Sequence, residues 1–279
     1  MMIRNALVLA LVGWVSVPSG AQSPAAAPAF QTASIRPSSS RGTGASYAGL
    51  DDGSVLISNM SVMAMVADAY GIDETIAQYL LTGDDPLLSD RFSVRAKGPA
   101  SASRDQQRLM LRTLLEERFG LRTHTEKRDV PIYAMKVATQ GSLGSRLRPS
   151  TTNCDAYKAA ARAANVDVLS ISPRDADGLA LCPAIFVAGG TSVTLRGAGR
   201  LSDLVTQVQG WVDRPIVDST ALAGNFEWSV TFAGRPQPTQ ASVASLVAAF
   251  GEQLGLTLEA TSAPMDVRVV DAVQFPRLN

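Results

Sequence analysis

The sequence predicts an α+β protein made of two related units. Three observations support this. Apolar residues recur at helical spacing in four short stretches. Strictly alternating stretches lie between them. The same series of elements occurs twice, with a segment holding both cysteines in between. Each unit is expected to run strand, helix, strand, helix, hairpin, with antiparallel sheets covered on one face. The first unit is placed at residues 30–139, the cysteine-bearing insert at 140–189 and the second unit at 190–279.

Each unit begins with a short alternating strand, Val55–Ile57 in the first and Val193–Leu195 in the second. A helix follows. Val62, Met65, Val66 and Ala69 lie on one face of the first helix, and Leu201, Leu204, Val205 and Val208 on one face of its counterpart. Ser61 and Ser202 stand near the two helix starts, where a hydroxyl can accept a free backbone N–H. The next strand alternates Phe92, Val94 and Ala96 with polar residues, and in the second unit Phe226, Trp228, Val230 and Phe232.

The next helices match most closely. Leu111, Leu114 and Leu115 precede Glu117-Arg118-Phe119-Gly120-Leu121. Leu246, Ala249 and Phe250 precede Glu252-Gln253-Leu254-Gly255-Leu256. Glycine at the end of each reads as a left-handed cap. Beyond them, Arg122–Val137 with Pro131 and Thr257–Val273 with Pro264 read as hairpins, with proline near a strand start or on an edge. The insert is expected to hold an Ala-rich helix over Asp155–Ala164 and a short strand at Ala184–Val187.

The N-terminus reads as a cleavable secretory signal over residues 1–21. Arg4 precedes an apolar run from Ala6 to Val17 that is too short to span a bilayer. Ser19 and Ala21 place small residues before a cut between Ala21 and Gln22, and residues 22–29 form a Pro/Ala-rich tether. The expected location is periplasmic or extracellular. No second long apolar segment follows, so no membrane span is expected in the mature chain. In an oxidising compartment an isolated pair such as Cys154 and Cys182 is most simply a disulfide, with a metal site and a reactive thiol as alternatives.

Chemistry is sparse. Lys and Arg total 25, Asp and Glu total 25, and His124 is the single histidine. This balance gives no long-range pull toward nucleic acid. No G-x-S-x-G, H-E-x-x-H or S-x-x-K pattern occurs, and Gly42-Thr43-Gly44 and Gly189-Gly190 lack a phosphate-loop context, so no catalytic, metal or cofactor residue is assigned. His124 reads as an exposed or edge-strand residue. The acidic pairs Asp51-Asp52, Asp73-Glu74 and Asp84-Asp85 read as turn and cap residues. Trp228 is expected in the core and Tyr47 in an exposed loop. Trp211, Tyr70 and Tyr79 could stack on sugars or peptides, but the sequence does not assemble them into one site.

Several of these motifs carry a family resemblance. They include Ala33-Ser34-Ile35-Arg36-Pro37-Ser38, Ala69-Tyr70-Gly71, Ser89-Asp90-Arg91-Phe92, Leu114–Leu121, Arg128-Asp129-Val130-Pro131-Ile132-Tyr133 and Arg214-Pro215-Ile216-Val217-Asp218. The series ends with Thr220–Phe226 and Glu252–Leu256. Together they resemble a soil-associated family of exported proteins of unknown function, DUF3738. The resemblance implies export and an α+β fold, and it brings no activity. Two positions depart from the family pattern. A Trp usual near Pro86-Leu87-Leu88 is absent, and the usual Lys-Thr-Gly reads Ser219-Thr220-Ala221. The function expected is a non-enzymatic extracytoplasmic module that binds a protein, peptide or glycan. Two alternatives are a hydrolase with a carboxylate site and an assembly module that pairs sheet edges.

Overall fold

The computed structural model describes residues 27–38, 44–50, 52–100, 102–139, 141–176, 178–234 and 239–278. The expected signal peptide, with its Ala21/Gln22 cut, lies outside the described residues. The α+β class holds. Helices and strands alternate, and three four-stranded sheets form.

The first sheet is built from β1 (Thr32–Pro37), β2 (Ser46–Gly49), β3 (Ser54–Ser61) and β5 (Arg91–Lys97), in the order β1-β5-β3-β2, all antiparallel. Helices α1 (Val62–Ala69) and α3 (Arg104–Phe119) cover one face. Their apolar stripes, with Phe92 and Val94, enclose Met65, Leu111, Leu115 and Phe119 in one core. Ser61 caps α1 by accepting the Ala64 N–H. Ser103 and Gln106 form a reciprocal capping box on α3, and Gly120 ends it at φ 60°. Between α1 and β5 lie α2 (Ala77–Leu80) and the two-residue strand β4 (Leu81–Thr82).

The third sheet has the order β7-β11-β9-β8. Its strands are β7 (Leu147–Ser150), β8 (Ile185–Gly189), β9 (Ser192–Gly199) and β11 (Asn225–Ala233). Helices α6 (Leu201–Gln209) and α7 (Gln240–Ala249) close a second core around Trp228, Leu204, Leu246 and Phe250. Ser202 does not cap α6. The cap position is Arg200, whose N–H donates to Asp203 Oδ2 at 2.8 Å. An acidic side chain one residue further on does the work expected of the hydroxyl. Strands β7 and β8 come from residues 140–189, so the ends of the insert are the outer strands of this sheet. Its middle forms α4 (Cys154–Ala164) and the short α5 (Val168–Ile171).

The expected hairpins are absent. Arg122–Val137 is one strand, β6, and Leu256–Ala272 is one strand, β12. The two pair antiparallel along nearly their whole length. With β10 (Ile216–Asp218) and β4 they make a central sheet, β10-β6-β12-β4, whose outer pairings are parallel. The prolines fit because the outer strands are short. Tyr133 donates its N–H outward to Pro215 O at 2.8 Å. Pro131 shares that side of the ladder by the two-residue period, and β10 pairs only with residues 133–135. A missing donor there breaks no ladder bond.

The first and third sheets share one strand order, and the two halves exchange short strands at the centre. β4 pairs with β12, and β10 pairs with β6. Leu81 faces Arg268 and Ile216 faces Tyr133. The interval from Leu81 to Ile216, from Tyr133 to Arg268 and from Gly120 to Gly255 is the same.

Candidate functional site

A cleft of about 550 Å³ runs beside β2, the outer strand of the first sheet, and the start of α3. Tyr47 and Gly49 supply one wall, and Ser103, Arg104 and Gln107 supply the other. Arg162, from the last turn of α4, closes it from the insert. β2 seats closely on α3. A Cβ on Gly49 would lie 2.5 Å from Gln107 Oε1.

Tyr47 is not the exposed loop residue expected. It lies on β2 and is half-buried. The Arg104 guanidinium sits 3.7 Å above its ring centroid, and its hydroxyl donates to Gln107 Oε1 at 3.2 Å. Burial raises the Tyr47 phenol above its usual range, opposed by the charge of Arg104. Arg104 also pairs with Asp68 on α1. Burial is the largest influence on Asp68 too and raises its carboxyl above the usual range, against the pull of Arg104 and Arg108. Asp68 Oδ2 and Arg104 Nη1 are buried without a hydrogen-bond partner. The guanidinium is held between the Tyr47 ring and the Asp68 carboxylate, which offsets part of its charge, and no carboxylate lies on the cleft lining itself.

Further along α3, Arg112 donates to Ala69 O at 2.7 Å and lies 4.4 Å over the Tyr70 ring. Arg268 covers the same ring at 4.3 Å. Tyr70 is therefore not free to stack a sugar or a base. The spacing of Arg104, Arg108 and Arg112 at i, i+4, i+8 was visible in the sequence. Tyr47 and Asp68 were beyond its reach, because a strand edge and a second helix bring them in.

The corresponding place in the third sheet is apolar. Tyr47 stands opposite Ile57, and Phe186 on the outer strand β8 stands opposite Leu195. Phe186 is 62 % exposed and meets Trp211 edge-on at 6.4 Å, and Trp211 meets Phe232 at 5.4 Å.

A second cleft, of about 560 Å³, lies beside the disulfide between α4 and α6. It carries charges of both signs, Asp155 and Asp203 with Lys158 and Arg200. Lys158 pairs with Asp155 at 3.2 Å, and Asp203 accepts the Arg200 N–H. Cys154 and Cys182 are joined, with Cα atoms 5.3 Å apart. Cys182 is fully buried, and the pair packs with Leu181 and Ala198 in a small core of its own.

His124 lies on β6, exposed, with Nδ1 2.7 Å from Asp271 and Nε2 2.9 Å from Glu126. The hydrogen bonds to Glu126 and then Asp271 raise its pKa. Asp52, Asp73 and Asp85 each accept a backbone N–H two residues on, the local role expected of them, and Asp51 lies outside the described residues. Trp228 is buried and donates to Gln207 Oε1 at 2.7 Å. Among the described residues no group of three or more His, Cys, Asp or Glu could hold a metal ion, and no helix is long and apolar enough to cross a membrane.

No curated protein and no solved structure matches the chain. The model of a family described as protein of unknown function (DUF3738) matches residues 63–273, a span from α1 to the end of β12. With most of its length inside that match, the chain belongs to the DUF3738 family.

Proposed function

We propose that the chain is an exported, internally duplicated binding module, and that it holds its ligand in the cleft beside β2 without transforming it. The observation that carries this reading is the chemistry of the cleft wall. Its charged groups are Arg104 and Arg162. A guanidinium is permanently protonated and cannot serve as general acid or base near neutral pH. Asp68, the nearby carboxylate with a raised pKa, is engaged by Arg104 and lies behind it. Such a wall recognises and orients. The paired strand orders of the first and third sheets, the exchange of β4 and β10, and the repeated interval between matched residues support duplication. The disulfide and the short apolar N-terminal run support export.

The test incubates the purified mature protein with a random peptide library and recovers what it retains. Retained peptides are expected intact by mass spectrometry. Cleavage products whose formation stops in Asp68→Asn, with folding unchanged by circular dichroism, would replace this reading with the hydrolase. The assembly reading is favoured by a different observation, the exposed Phe186 and Val187 on β8. A dimer in sedimentation that dissolves on Phe186→Lys would establish it.

A further inference from the structure

We infer that the cleft takes an extended acidic peptide, added as a fifth strand on the outer side of β2 with a carboxylate side chain seated between Arg104 and Arg162. The inference rests on the binding-module reading and names the ligand class of that same site.

Two features converge on it. The first is the strand edge. β2 ends the order β1-β5-β3-β2, and among the described residues no strand pairs with its outer side. The backbone groups along such an edge are the natural partners of another extended chain. The second is charge. The groups lining the cleft include two arginines and no carboxylate, although the whole chain is balanced at 25 basic and 25 acidic residues. The fork of donors on each guanidinium matches the two oxygens of a carboxylate. Arg104 shares its charge with Asp68 but leaves part of its side chain exposed on the lining, while Arg162 is exposed at the mouth with no carboxylate beside it on the lining. Alternate side chains of a strand point to one side at a repeat of about 6.8 Å. A peptide with acidic residues at every second position can therefore keep its backbone on β2 and turn its carboxylates to the cleft.

Other polyanions are less well matched. A single strand of nucleic acid or a sugar chain binds largely through stacking on aromatic faces. Here the Arg104 guanidinium already lies over the Tyr47 ring, and two guanidiniums, Arg112 and Arg268, lie over Tyr70. The edge of β2 offers a peptide backbone something it offers neither of those ligands.

The test measures binding by fluorescence anisotropy with four labelled probes: an eight-residue peptide of alternating Glu and Ser, the same peptide with Gln for Glu, polygalacturonate, and an oligothymidylate. The Glu-Ser peptide is expected to bind most tightly, with affinity falling as salt rises. The Gln-Ser peptide should be about tenfold weaker or more, the difference expected from one desolvated charged contact. Arg162→Gln should lower affinity for the Glu-Ser peptide by about tenfold and leave the Gln-Ser peptide unchanged. This side chain is exposed, so the fold does not depend on it. Arg104→Lys keeps the charge but loses the fork, and should weaken the acidic peptide alone. Equal binding of the two peptides, or no effect of Arg162→Gln, overturns the acidic-ligand inference. It leaves the module reading intact if library peptides are still retained. Tighter binding of polygalacturonate or oligothymidylate overturns it in favour of that polymer. Failure to retain any library peptide removes the module reading itself.

Discussion

The outer strands β2 and β8 occupy matching places in two sheets of the same order, yet they meet different neighbours. Tyr47 on β2 is half-buried beneath a guanidinium and bonded to Gln107. Phe186 on β8 stands largely in solvent beside Trp211. The difference lies in the side chains each ring meets: Arg104 and Gln107 from the first turn of α3 for Tyr47, and Trp211, just beyond α6, for Phe186. One frame thus presents a polar edge on the first sheet and an apolar edge on the third. The polar edge costs desolvation at Asp68 and Arg104. The apolar edge leaves hydrophobic surface wet.

The largest test of this contrast removes the disulfide within the insert, which links the start of α4, the helix carrying Arg162, to the residues before β8. Changing Cys154 and Cys182 together to Ser should lower unfolding free energy by about 3–4 kcal/mol in the chain-entropy model for a loop of this length. Urea titration reads the loss. Hydrogen exchange should rise in α4, which carries Arg162, more than in α3 or α7. Equal rises everywhere would mean that the insert is integral to both cores.

Next come the two aromatic anchors. Trp211→Ala should cost about 2–3 kcal/mol, because half-buried rings contribute less than core ones. Tyr47→Ala should cost about 1–2 kcal/mol, part of it from the Gln107 side chain left without its donor. Thermal melts of the two variants would rank the edges. A reversed order would show that the polar edge is the more tightly held.

A smaller effect is expected outside both edges. Ala221 sits at φ 57°, the left-handed region that a Cβ disfavours. Ala221→Gly should therefore stabilise the chain by about 0.5–1 kcal/mol, relief of the backbone strain exceeding the extra freedom of the unfolded chain.

The smallest effect concerns pH. His124 gains two carboxylate partners on folding, and its pKa rises above 6.5. Its contribution is present in full below that value and is lost as pH rises through the higher folded value. His124→Gln should flatten this part of the stability profile, read as melting temperature against pH. An unchanged profile would show that the exposed pairs are screened by solvent.

Much of this fold was legible because its signals are local. Ser61 and the glycines at 120 and 255 cap helices whose apolar stripes read directly from spacing, and the alternation of Phe226 to Phe232 marks a half-buried strand. The central sheet was not legible. β6 and β12 are long strands only because each finds the other across the chain. Their prolines look like breaks until short outer strands leave those positions unpaired. The cleft was not legible: Tyr47 read as a loop residue, and Arg104 and Arg162 come to it from helices far apart in the chain. The cap of α6 was misread because an Asp two residues inside the helix can reach back to the free N–H as well as a Ser can.

Arg162 reaches the cleft on a helix whose first residue is Cys154 and whose segment is tied down at Cys182. The two main cores of the molecule contain neither cysteine. Oxidation is therefore expected to be the closing act of maturation. A copy kept in reducing surroundings would have its three sheets and two main cores but no tether on the helix that carries Arg162, so ligand capture of the kind proposed would depend on the oxidised pair.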